Sequence, residues 1–194
     1  MSQIHWDPEP FSGEIPAQPV LEIRRAGTED AAALHALAVA TFGLACPRGT
    51  AQESIDDFLA TTLSETSFAS YLVDPNRALF LAVVDDHPAG YTMVNFGEPA
   101  DPDVLSAITL HPTSELSKVY VLEGHHGSGV AGALVDASIA AASDRAAAGI
   151  WLGVNQENAR ANRFYEKQGF ALVGTKRFLL GGNWEDDFVR ERTL

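Results

Sequence analysis

The sequence predicts an α/β fold of the mixed kind, one sheet with helices on both of its faces. Three observations predict it. The apolar pattern switches between a period of about 3.6 and a period of two, so helices and strands both occur. Their order, β-α-α-β-β-β-α-β-α-β-β, combines strands joined directly with strands joined through helices, which makes a sheet of mixed direction. One strand-to-helix junction is a glycine-rich loop that leads straight into an alanine-rich helix. With 46% hydrophobic and 20% charged residues in a chain of 194, the balance is globular and the length suits one domain.

Residues 1–19 carry four prolines among scattered charges and read as a flexible extension, leaving 20–194 as the expected single domain. Residues 20–25 (VLEIRR) alternate and suggest a first strand. Thr28 is an expected N-cap, with Glu29 and Asp30 in the first turn, where the helix dipole favours acids. That helix is expected to run to about Phe42, with a break over 43–49. A second amphipathic helix follows over 52–63, with Ile55, Leu59 and Leu63 on one face. A short helical turn covers 68–73. Residues 78–84 and 90–96 read as strands joined by a turn over Asp85-Asp86-His87-Pro88. Residues 97–113 read as a loop, 115–122 as a strand and 128–148 as a helix. A strand over 150–154, a helix over 158–168 and two closing strands over 170–180 and 184–190 complete the chain. No internal repeat interrupts it.

Composition narrows the function. Acidic residues outnumber basic ones 26 to 13, a net charge of −13, with no basic run. Phosphate contacts through Lys and Arg supply most of the affinity of nucleic-acid binders, so no nucleic-acid partner is expected. An acidic surface favours cationic small molecules. No stretch approaches the about 18 apolar residues of a membrane span, and the start lacks the pattern of a secretory leader, so a cytoplasmic protein is expected. Cys46 is the single cysteine and has no Cys or His at metal-ligand spacing. No metal is expected.

Two segments carry chemistry. In the first, the strand Val119-Tyr120-Val121-Leu122 enters a loop with Gly127, Gly129 and Gly132, and a long helix begins there. Such a junction aims unpaired backbone N–H groups at one point, at the positive end of a helix dipole. Glycine lets a phosphate approach the backbone, and a pyrophosphate is the natural guest. Neither G-x-x-x-x-G-K-[ST] nor the dinucleotide G-x-G-x-x-G is present. In the second segment, Asn158 is placed to cap a helix and Gly169 to end it. Ala161, Phe164 and Gln168 share one face, with Tyr165 at its edge, a ring to bury and a hydroxyl free to reach a cleft.

Together the two segments resemble the GNAT acetyltransferases over the chain from about Val20 to its end. His126-Gly127-Ser128-Gly129-Val130-Ala131 matches the Q/R-x-x-G-x-G/A loop of that superfamily. Asn158, Ala161, Phe164, Tyr165, Gly169 and Phe170 meet its N-x-x-A-x-x-F-Y-x-x-x-G-F pattern in full. One departure is His126, where Gln or Arg is usual. The resemblance implies a mostly antiparallel, splayed central sheet and acetyl-CoA as cosubstrate, moved to an amine by direct transfer. It implies that Val119, Tyr120 and Val121 pair with the pantetheine arm, and that the pyrophosphate is held by His126, Gly127, Ser128, Gly129, Val130, Ala131 and Gly132. Asn158 would bond the arm, the Val121 N–H would polarise the thioester carbonyl, and Tyr165 would protonate the departing thiolate.

An amine must be neutral to attack a thioester, so its proton needs an acceptor. Glu115 matches the base of the histone-acetylating branch and is equally readable as an exposed strand-end residue. Some N-terminal-amine acetylases place a Glu on the strand before the Asn motif, where this chain has Gly153. His111 and His125 are alternatives. Asp186 and Asp187 face either an amine or solvent, with solvent favoured. The segment over 151–170, with VYVL over 119–122 and the closing EDDFVRE, looks most similar to the polyamine-acetylating, PaiA-like bacterial branch, which implies a small polyamine-like acceptor. A protein N-terminal or lysine acceptor, a silent acyl-CoA-binding module, and a homodimer stay open.

Overall fold

The computed structural model describes residues 19–47, 49–180 and 182–194. Seven strands form one sheet: β1 (Leu21–Arg25), β2 (Arg77–Val84), β3 (His87–Phe96), β4 (Thr113–Val121), β5 (Gly149–Asn155), β6 (Ala171–Leu180) and β7 (Asn183–Thr193). The helices are α1 (Ala31–Ala45), α2 (Gln52–Thr61), α3 (Glu65–Val73), α4 (Pro102–Ala107), α5 (Val130–Asp144) and α6 (Ala159–Lys167). Strand order is β1-β2-β3-β4-β5-β7-β6. Every pairing is antiparallel except β4 with β5, which run parallel. The expected mixed, mostly antiparallel sheet with helices on both faces is what the chain builds. The expected extension over 1–19 lies, apart from Pro19, outside the described residues.

The faces follow from the register. Leu79, Leu81, Tyr91 and Met93 point to one side and are buried against Leu34, Ala38, Phe42, Leu63 and Phe68 of the α1–α3 layer. Val94, Leu116, Ile150 of the neighbouring strand surface, Leu152 and Val154 pack with Val135 and Ala142 of α5 and with Ala161, Phe164 and Tyr165 of α6. The parallel ladder between β4 and β5 covers only Thr113–Glu115 against Gly149–Trp151. Beyond Glu115 and Trp151 the two strands part, and the sheet opens into a fork.

Four expectations need correction. The first helix runs through Gly43 to Ala45 and ends where Cys46 turns extended; a Cβ at position 43 would meet only the end of Ile55, so nothing crowds the helix there. Thr28 caps nothing. It opens a short 3-10 turn in which the Gly27 N–H donates to Asp30 Oδ2 at 2.8 Å. The β2–β3 turn is two residues rather than four: Asp85 and Asp86 both have positive φ (48° and 65°), the twist that suits a tight hairpin, so His87 already pairs with Val84. The loop over 97–113 contains α4, whose Asp101 cap accepts from the Asp103 N–H beside Pro102 at the first turn.

Candidate active site

The fork is built from β4. A bulge lies in the β3–β4 ladder at Met93/Val94, where Ser117 has no partner. Residues directly opposite in a ladder share a face, so Lys118 sides with Met93, and Glu115 with Asn95. The extra residue therefore puts Glu115, Lys118 and Tyr120 together on the α1–α3 face. Without the bulge, strict alternation would separate Glu115 from Lys118 and Tyr120.

The edge of β4 is equally specific. The Leu122 N–H donates to Ala89 O on β3 at 2.9 Å. Peptide groups alternate between the two edges of a strand, so the N–H and C=O of Val121 point the other way, into the fork, and those of Val119 follow suit. The Val121 carbonyl accepts from His126 Nε2 at 3.0 Å. The Arg160 guanidinium lies against the same ring, with Nη1 2.9 Å from Nδ1 and Nη2 3.4 Å from Nε2. His126 thus ties the strand end to α6 and brings a guanidinium to the loop.

In that loop Gly127 and Gly129 both hold positive φ (82° and 91°), and Gly129 caps α5 in the left-handed region. Only glycine takes that conformation without strain. Ala133 is the first to bond inside the helix, to Gly129 O. The N–H groups of Gly129, Val130, Ala131 and Gly132 find no backbone acceptor among the described residues, and they converge at the helix start. Ser128 Oγ donates to His125 O at 2.7 Å, which closes the turn.

On α6, Asn158 Oδ1 accepts from the Ala161 N–H at 3.0 Å, the predicted cap. Asn162 donates to the carbonyls of Asn155 and Asn158 and accepts from buried Arg190 Nε at 3.1 Å. This network seats the helix against β5 and β7, with Tyr165 edge-on to Phe164 and Phe170.

Two cavities meet there. The first, about 410 Å³, runs along Val119–Val121 and past His125, His126, Gly127, Ala131, Asn158 and Arg160 to Tyr165. The second, about 270 Å³, opens on the α1–α3 face between Phe42, Cys46, Phe58 and Phe178, and carries Glu115, Lys118, Lys176, Glu185 and Asp187. Both are lined by Val119, Tyr120, Asn158, Ala161 and Tyr165. Burial governs the electrostatics. It pushes the Tyr165 and Tyr120 phenols well above the ordinary range and the Cys46 thiol up to about 11. It lowers Lys118 to about 8, against the pull of Glu115. It raises Asp187 to about 6, with Lys176 opposing.

The structure gathers most of the sequence-chosen residues around the first cavity: Val119, Tyr120, Val121, His126, Gly127, Ala131, Asn158 and Tyr165 line it. Glu115 lines the second cavity, with Oε2 accepting from Asn95 Nδ2 at 2.7 Å. Asp187 lines it too, which corrects the preference for solvent; Asp186, one residue away, is exposed. His111 bonds Glu98 at 2.7 Å and lines neither cavity. Arg160 and Lys118 went unread. Arg160 had a signal: a cation in the first turn of a helix opposes the dipole and makes sense beside an anionic guest. Lys118 had none, since the bulge decides its face. Among the described residues no group of His, Cys, Asp and Glu is placed to hold a metal, and no helix is long and apolar enough to cross a membrane.

Known proteins resemble this chain in sequence and fold. The model of the acetyltransferase (GNAT) family matches residues 45–170. An uncharacterised N-acetyltransferase of Mycobacterium bovis is 46% identical over 165 residues, covering 85% of this chain and 98% of that protein. The crystal structure of the PaiA N-acetyltransferase from Thermoplasma acidophilum in complex with coenzyme A superposes with a TM-score of 0.73 at 17% identity, over 90% of this chain and 99% of that one. The ribosomal-protein-S18-alanine N-acetyltransferase of Escherichia coli superposes with a TM-score of 0.63 at 20% identity, over 90% and 94%. A forked sheet with a glycine loop at its mouth, a family model spanning most of the chain and a relative of nearly half identity agree: the chain belongs to the GNAT acetyltransferase family.

Proposed function

We propose that this protein transfers an acetyl group from acetyl-CoA directly to a primary amine of a small cationic molecule, a polyamine being the candidate. The observation that carries this reading is the meeting of two cavities at Tyr165 and the free edge of β4, one suited to a phosphate-bearing arm and the other to an amine. The pyrophosphate lies on the N–H groups of the glycine loop, with the Arg160 guanidinium beside His126 supplying positive charge. The pantetheine arm pairs with the free edge of β4 as an added strand, beside Asn158. The acceptor nitrogen attacks the thioester carbon, whose oxygen is polarised by the Val121 N–H. As the C–S bond breaks, Tyr165 protonates the leaving sulfur and is reprotonated from solvent, and the ammonium proton passes through water to Glu115, six residues (about 20 Å) before Val121 on β4. The Cys46 thiol, held up at about 11, stays protonated at neutral pH, which favours direct transfer over an acyl-cysteine intermediate.

Thiol release from acetyl-CoA across spermidine, an aminoglycoside, amino acids and a peptide N-terminus tests this. Spermidine is expected to lead, with an advantage that shrinks as salt rises from about 10 to about 150 mM and screening shortens. A peptide or amino acid in the lead with no salt dependence would make the −13 charge a solubility property only. Acetyl-CoA binding without thiol release on any amine would indicate a sensing module.

A further inference from the structure

The second cavity holds a carboxylate that the transfer just described leaves without work. Glu115 stands at the closed end of the fork, where β4 still pairs with Trp151 of β5. Asp187 stands on β7 opposite Asn155, four residues further along β5. At about 3.3 Å per residue and about 4.8 Å between strands, their Cα atoms are roughly 16 Å apart. One ammonium bridges two carboxylates over only about 6 Å, two charge-assisted bonds of about 2.8 Å each. Even with both side chains extended, a single nitrogen does not serve both. Each carboxylate answers to a different group.

Asp187 is held for a guest rather than for a neighbour. Its carboxylate forms no hydrogen bond or ion pair among the described residues, although Lys176 is its partner across the ladder. The Lys176 ammonium lies 5.9 Å from the centre of the Phe178 ring instead. The space is there because residue 153 is glycine: a Cβ at that position would lie 3.4 Å from Asp187 Oδ2 and 2.7 Å from Lys176 Cε. Burial, the largest influence on its carboxyl, raises it to about 6, with Glu185 and Asp186 adding and Lys176 opposing, so it stays ionised at neutral pH while poorly solvated. A poorly solvated carboxylate gains most from a cation. The charged groups lining the cavity are Glu115, Glu185 and Asp187 against Lys118 and Lys176, an excess of one negative charge before any acceptor enters.

We infer that Asp187 binds the second, non-reacting ammonium of the acceptor, so that the enzyme selects elongated diamines and polyamines over monoamines. The inference rests on the acetyl-transfer reading above and assigns its acceptor preference to one residue. The reacting nitrogen sits at Tyr165 and the fork, and the distal nitrogen at β7. Asp187 is then a specificity residue and takes no part in bond making.

Steady-state kinetics at saturating acetyl-CoA decide it, with spermidine, a linear α,ω-diamine and the alkyl monoamine of the same length. The wild-type protein is expected to favour the diamine by about 10- to 100-fold in kcat/KM, the size of a bond to a charged group. Asp187→Asn is expected to bring that ratio within about threefold, through KM for the diamine, with monoamine kcat changed less than about twofold. Asp187→Glu should recover part of the preference, and Asp186→Asn, at the exposed neighbour, should leave it intact. Melting temperatures with acetyl-CoA check that each variant folds and loads. An unchanged ratio in Asp187→Asn overturns the inference, as does a fall in kcat for both acceptors at constant KM, which would make Asp187 the proton acceptor. Wild-type protein that acetylates diamine and monoamine alike overturns it while leaving acetyl transfer standing; acetyl-CoA loading with no turnover on any amine overturns the transfer reading itself.

Discussion

Tyr165 packs edge-on against Phe164 and Phe170, and burial raises its phenol well above the ordinary range, so it is protonated at neutral pH. A group in that state donates, and the leaving thiolate is the acceptor at hand in the proposed reaction. Tyr165→Phe is therefore expected to lower kcat by about 10- to 1000-fold with little change in acetyl-CoA affinity, measured by turnover and by titration. Full activity would leave Tyr165 a packing residue only. A second residue bears on stability. The Arg24 guanidinium donates to both oxygens of buried Asp30 at 2.7 Å, and these bonds, more than the Gly27 N–H, hold the Asp30 carboxyl below the ordinary range. A group depressed in the folded state stabilises in full above its unfolded value, about 3.9, and loses that contribution as pH falls through its folded value. Thermal melts of Asp30→Asn should start lower at pH 7 and fall less than wild type below about pH 4. Parallel pH curves would show that the pair is silent.

At the scale of elements, the end of β4 depends on how closely β3 approaches it. A Cβ on Gly90 would lie 2.6 Å from the Tyr120 carbonyl oxygen and 3.1 Å from Val121 Cα, both backbone atoms that cannot step aside. Gly90→Ala is expected to push the two strands apart, costing about 1–3 kcal/mol in denaturant melts and weakening acetyl-CoA binding, because the free edge moves with the strand. Loss of stability with unchanged affinity would mean that β3 yields instead. The helices were more legible than the ladder. Asn158 capping α6 is an event within a few residues of chain, and the sequence reading found it; the helix expected over 128–148 instead runs over Val130–Asp144, after the left-handed Gly129. The bulge at Ser117 depends on pairing with β3 and has no local signature, so the face on which Lys118 lies was unreadable.

The whole molecule brings its glycine loop, α6 and β7 to one place, and ligand linkage measures that assembly. Acetyl-CoA at about one hundred times its dissociation constant is expected to add about 2.7 kcal/mol of stability, seen as a rise in Tm. Gly129→Asp should remove the rise, since it strains a φ of 91° and sets a carboxylate where phosphate is expected. A wild-type Tm indifferent to acetyl-CoA would overturn the cofactor assignment. By itself the sequence determined the family, the strand-to-helix loop, the capped helix with Tyr165 and the acidic character, because each is written in contiguous residues whose backbone preferences are local. Tertiary structure alone decided that Arg160 reaches His126, that Glu115 and Lys118 share a face, and that Asp187 looks into a cavity rather than at solvent. Those facts depend on register and on one bulge between segments far apart in the chain, and a shift of a single residue in a strand sends every side chain to the opposite face.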